Sequence, residues 1–102
     1  MVALDADCVL YMRQGLDVDE VCRLLESGKN VVTPVGWVYP DRGNPAVQAL
    51  EEACAAGNST LHGSGIHPGG ITERFPLMLS SLSSAVTHVR AEEFSDIRTY
   101  NA

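Results

Sequence analysis

The sequence predicts an α/β fold built on a parallel sheet. Three observations point there. Short β-forming runs alternate with amphipathic helical stretches in the order β-α-β-α-β-α-β. The connections between them are short, which favours right-handed crossovers and parallel pairing. The first run is continuously apolar rather than alternating, the mark of a strand covered on both faces. The chain has 102 residues, 45% of them hydrophobic and 20% charged. That length supports one domain at most.

The elements follow in order. Residues 7–12, Asp7-Cys8-Val9-Leu10-Tyr11-Met12, read as the first strand. Asp17 is placed to cap a helix, with Glu20 three residues on in a capping-box arrangement. Val18, Val21, Cys22, Leu24 and Leu25 then repeat at helical spacing until Gly28 stops the helix. Residues 30–34 form a second strand, ended by Pro34. After a loop through Trp37, Asn44 caps a second helix with Pro45 at its first position. Val47, Leu50 and Cys54 make its apolar stripe, and Gly57-Asn58 closes it. Residues 59–62 are a third, weaker strand. A Gly- and Pro-rich turn leads to a helix around residues 73–84. Residues 85–94 read as a fourth strand, half-exposed, with Val86, Val89, Ala91 and Phe94 apolar.

Charge and composition narrow the function. The net charge is −6, so nucleic acid and anionic membrane surfaces are not expected partners, because phosphate contacts need clustered Lys and Arg. No apolar run approaches the ~20 residues of a membrane span. The start lacks a basic signal-peptide region, and the cytoplasm is the expected location. The cysteines, Cys8, Cys22 and Cys54, are odd in number and form no C-x-x-C pair, so neither a zinc site nor a disulfide framework is expected. They read as small buried hydrophobes. The three histidines lack ligand spacing, and no metal site is expected.

The polar candidates lie in the stretch from Leu61 to Leu77. Its run Gly63-Ser64-Gly65-Ile66-His67-Pro68 fails the dinucleotide fingerprint G-x-G-x-x-G, because Pro68 stands where the third glycine belongs. His67, fixed between Gly65 and Pro68, has two readings: a group that gives a proton or a hydrogen bond to a substrate, or a solvent-exposed loop residue. Glu73 likewise reads as a first-turn acid that complements the helix dipole or as a catalytic acid. The amides of Gly69 and Gly70 precede a helix, where an anionic group such as a substrate carboxylate can be held. In open α/β sheets ligands lie beyond the carboxyl ends of the strands. That rule directs attention to residues 12–15, 33–37 and 63–67.

These same segments carry a family likeness. Cys8 to Gly15, Asn30 to Trp37 and Thr60 to Pro76 resemble the NAD(P)-dependent dihydrodipicolinate reductase-like proteins, including the 2,4-diaminopentanoate dehydrogenase group. The phrase Leu-Leu-Glu-Ser-Gly-Lys-Asn-Val-Val-Thr at 24–33 is typical of them. So is a G-x-N-P-G-F-x-x-D-x-L-P pattern, met here as residues 65–76. The resemblance implies the C-terminal half of a Rossmann-type parallel sheet, followed by the start of an α+β substrate domain. Residues 1–62 would be a partial dinucleotide-binding domain lacking the Gly-rich loop. Residues 63–102 would be a linker helix and the first strand of a substrate and oligomerisation domain.

The resemblance further implies hydride transfer between NAD or NADP and an amine or imine carbon of a small-molecule substrate. By it, Met12, Gln14 and Thr33 contact the cofactor, His67 is catalytic, and Gly69 and Glu73 contact substrate. Departures from the pattern include His67 for Asn, Glu73 for Asp and Gly70 for an aromatic residue. The paired His and the Lys of true dihydrodipicolinate reductases, expected soon after Glu93, are replaced by Phe94-Ser95-Asp96, which argues against lysine biosynthesis. Without a phosphate loop ahead of its first strand, the chain reads as a fragment truncated at both ends and inactive alone. The alternative is a non-catalytic remnant or interaction module. On either reading the bare edge of the first strand predicts a homo-oligomer.

Overall fold

A computed structural model describes residues 1–99, in two compact units, Met1–Ser64 and Gly65–Ala102. The last three positions of the expected second domain, 100–102, lie outside the described residues.

The first unit contains β1 (Cys8–Leu10), α1 (Val18–Glu26), β2 (Asn30–Thr33), α2 (Pro45–Gly57) and β3 (Leu61–Gly63). The three strands form one parallel sheet in the order β1-β2-β3, so the α/β reading holds. Crossovers between parallel strands are right-handed as a rule, and two running the same way put both helices on one face; α1 and α2 pack against each other. Register sorts the strand residues. Val9, Val31 and Leu61 form one row across the sheet and belong to the core with Tyr11, Val21, Leu24, Leu25, Leu50 and Ala53. Leu10, Val32 and His62 form the opposite row, and Leu10 is 71% exposed.

That result corrects the reading of the first strand. It is covered on one face only. A continuous apolar run looks the same whether one face or two are covered, and the helices that decide it lie elsewhere in the chain. Cys8 is accordingly exposed, while Cys22 and Cys54 are partly buried; all three are free thiols.

Helix α1 starts where the sequence places it, with Asp17 Oδ1 accepting the Glu20 N–H at 3.0 Å. The other arm of the expected capping box is not made. Tyr11 Oη accepts the Asp17 N–H at 3.3 Å and donates to Glu20 Oε2 at 3.0 Å. Asn44 caps α2 through the Ala46 N–H at 3.0 Å. The helix ends on Asn58 in the left-handed region, φ 49°. Gly57 is fixed by packing: a Cβ there would lie 1.8 Å from the Leu25 carbonyl oxygen. Ser59 Oγ donates to that same oxygen at 2.9 Å, tying the ends of the two helices.

The second unit opens on a turn containing a cis His67–Pro68 peptide. A π-helical turn, Gly70–Arg74, runs into α3, Phe75–Ser80. The expected helix over 73–84 therefore ends four residues early. Ser80 Oγ donates to the Leu77 carbonyl at 2.9 Å and Ser81 Oγ to the Met78 carbonyl at 2.6 Å. Hydroxyls that bond back in this way compete with the backbone ladder. Residues 85–94 form no strand. All three strands of the described residues lie in the first unit, and a strand without a pairing partner leaves a row of backbone groups unsatisfied.

Candidate functional site

The carboxyl ends of β1, β2 and β3 carry the loops 11–16, 34–37 and the Ser64 junction. After β1 the chain is held by a carboxylate. Glu20 Oε2 accepts Tyr11 Oη and also Arg13 Nη1, the latter at 2.6 Å. The two bonds, Arg13 first and Tyr11 second, lower the Glu20 carboxyl below its ordinary range. Tyr11 is 1% exposed, so this network anchors the loop to the core and turns its tip outward. Met12 is 70% exposed, and Gln14 is exposed beside it. Sequence reasoning missed Tyr11 and Glu20 as a pair. Their nine-residue separation has no local signature, although a buried tyrosine generally finds a partner for its hydroxyl.

After β2 the chain turns on Thr33, which is fully buried. Its Oγ1 accepts the Val35 N–H at 3.1 Å. Its carbonyl accepts the Ser64 N–H at 2.8 Å, fastening the end of β3. Gly36 and Trp37 then follow with φ of 65° and 62°. A tryptophan in that region costs about 1 kcal/mol. The loop is held there at very close range: a Cβ on Gly63 would sit 2.5 Å from both the carbonyl carbon and oxygen of Trp37. Trp37 packs on the edge of the core.

In the second unit the structure brings His67, Gly69 and Glu73 together. Gly69 has φ 122°, and a Cβ there would meet the backbone of Gly65 at 2.9 Å. Its N–H donates to Glu73 Oε2 at 2.5 Å. The carboxylate thus reaches back to the residue that opens the helix, as in a capping box, over one residue more because the π turn is wider. The Glu73 carboxyl lies below its usual range, owing first to the Thr72 hydroxyl, then to the Gly69 N–H, with a smaller effect of His67. Thr72 Oγ1 itself is buried without a hydrogen bond of good geometry. Its hydroxyl lies close enough to the Glu73 carboxylate to act on it. Glu93 adds a second acid, its Oε2 3.7 Å from His67 Nδ1. Sequence reasoning passed over Glu93 as a partner of His67, since the two lie 26 positions apart with no local pattern linking them. This arrangement can hold a proton at an imidazole nitrogen and can attract a cationic group.

Among the described residues, no three His, Cys, Asp or Glu side chains are grouped to hold a metal ion, and no helix is long and apolar enough to cross a membrane.

No family model matches the chain, and no solved structure matches it. The chain is similar to a protein named "Amine dehydrogenase" from Streptomyces virginiae, with 31% identity over 85 residues. The match takes in 80% of this chain and 24% of that protein, so the chain spans about a quarter of the length of the curated relative it matches.

Proposed function

We propose that this chain is a segment of an NAD(P)-dependent oxidoreductase of the dihydrodipicolinate reductase-like type, acting on the carbon–nitrogen bond of a small amine or imine. The observation that carries the reading is the 31% identity to a protein named for amine dehydrogenation. The parallel β-α-β-α-β arrangement of the first unit supports it.

The residues fit one part of such a cofactor. A pyrophosphate needs amide donors at a glycine-rich turn and no carboxylates facing it. Helix α1 begins instead with Asp17, Asp19 and Glu20, which repel a polyanion. The exposed Met12 and Gln14, with the turn built on Thr33, present the apolar and polar contacts that suit a nicotinamide and its ribose. When bound, the nicotinamide gives or takes the hydride. In the second unit His67 would exchange a proton with the amine nitrogen. Glu73 and the turn at Gly69 would receive the ammonium form of the substrate. Self-association is a second proposal, favoured by one observation: β1 is an edge strand of the sheet, with Leu10 71% and Met12 70% exposed.

The test is a titration of the chain with NADH, NADPH and nicotinamide mononucleotide, read by 15N chemical shifts. The expected result is weak saturable binding, in the range of about 1 mM, with shifts at Met12, Gln14 and Gly36. The mononucleotide should bind as well as the dinucleotides. Absence of shifts at those residues would overturn the assignment of the loops.

A further inference from the structure

The first unit contains a cavity of about 270 Å³ away from the β1 loop, beneath the turn that carries Trp37. Its walls are Val47, Leu50 and Cys54 of α2 with Leu61 of β3; Trp37, Pro40 and Glu51 complete the lining. Two features set it apart from an ordinary packing gap. The Trp37 backbone is held in the left-handed region, against a strand position where only glycine fits, so the indole is positioned by the fold. The one acid in the lining, Glu51, is exposed and enters no ion pair among the described residues.

From this geometry we infer that the cavity is a binding site for a small organic cation, an alkyl- or arylammonium of about ten non-hydrogen atoms. An aromatic face attracts a cation through its quadrupole. The unpaired carboxylate supplies the opposite charge, and the apolar walls receive the hydrocarbon body. The chain's net charge of −6 raises the local concentration of cations over anions. A neutral apolar ligand would bury the same surface but leave the carboxylate without a partner. An anion would meet it head on. The inference does not depend on dinucleotide binding and stands or falls separately from it.

Trp37 is the single tryptophan of the chain, so its fluorescence reports on the cavity directly. The probe is benzyltrimethylammonium. The control is 2-methyl-1-phenylpropan-2-ol, which has the same shape and no charge. The expected result is a saturable change with the ammonium at least about tenfold tighter than with the alcohol. Glu51→Gln should bring the two within about twofold, and Cys54→Leu, which fills the cavity, should abolish both. In the unaltered chain, 15N shifts should gather at Glu51, Cys54 and the Trp37 indole. Equal affinity for the alcohol, an ammonium preference that survives Glu51→Gln, or shifts elsewhere on the molecule would overturn the site.

Discussion

The two units of this chain contain apolar residues in comparable supply and use them differently. In residues 1–64, Tyr11, Val21, Leu24, Leu25, Val31, Leu50 and Ala53 are buried together. In the second unit, among the described residues, the one buried position is Gly69. Leu77 is 72% exposed, Leu82 85% and Phe94 91%. The difference is one of closure. In the first unit two amphipathic helices and a sheet meet face to face, and each apolar stripe covers another. In the second a single short helix has no opposing layer within its own unit. Secondary structure can form from local signals in both; a core forms only where distant stretches return to one another.

Substitutions can break this comparison, and the largest effect is expected at Gly57. Gly57→Val would drive a side chain into the Leu25 carbonyl, 1.8 Å from where its Cβ must lie. A loss of roughly 3 kcal/mol or more is expected, because backbone rather than side chain must move. Chemical denaturation measures it, and an unchanged midpoint would show that the two helices do not cross as closely as described.

Next in size is a matched pair of leucines. Leu24→Ala, at a fully buried position, should cost about 2–5 kcal/mol. Leu82→Ala, at 85% exposure, should stay within about 0.5 kcal/mol. Equal costs would mean that the second unit is covered in solution. Hydrogen exchange sharpens the same contrast. Amides of α1, β2 and α2 should exchange only on global opening, and those of 75–99 close to the unprotected rate.

Tyr11→Phe removes one buried hydroxyl that joins the Asp17 N–H to Glu20. A loss of about 1 kcal/mol is expected, together with greater mobility of residues 12–15, seen as lower order parameters in NMR relaxation.

The smallest effect belongs to Glu73. Its carboxyl is held below its ordinary range in the folded turn, so the unfolded chain takes up the proton first as pH falls. The stabilisation is complete above the ordinary carboxylate pKa and is lost as pH drops through the lower folded value. The Gly69 amide resonance should move in that acid window and show no such step in Glu73→Gln. A step at neutral pH would contradict the assignment.

Much of this was legible in the chain itself. Asp17, Asn44 with Pro45, and the Gly57-Asn58 stop mark their helices through local hydrogen-bonding and backbone preferences, and the structure places all of them as read. His67, Gly69 and Glu73 lie near one another, because six residues separate the ends and a tight turn cannot spread them. The fourth strand at 85–94 failed for the opposite reason. Alternation describes a surface for pairing, and pairing depends on a neighbour that local sequence does not contain.

The amino-acid sequence by itself determined the identity and order of α1, α2 and the three strands of the first unit, since those follow from propensities acting over a few residues. Only the tertiary structure decided which face of β1 is covered, that Glu20 answers Tyr11 and Arg13 rather than its own cap, that Glu93 reaches His67, and that Gly57 and Gly63 are places where backbones nearly touch. Each of those depends on contacts between stretches brought together by folding, and their energies are set by distance in space rather than separation along the chain.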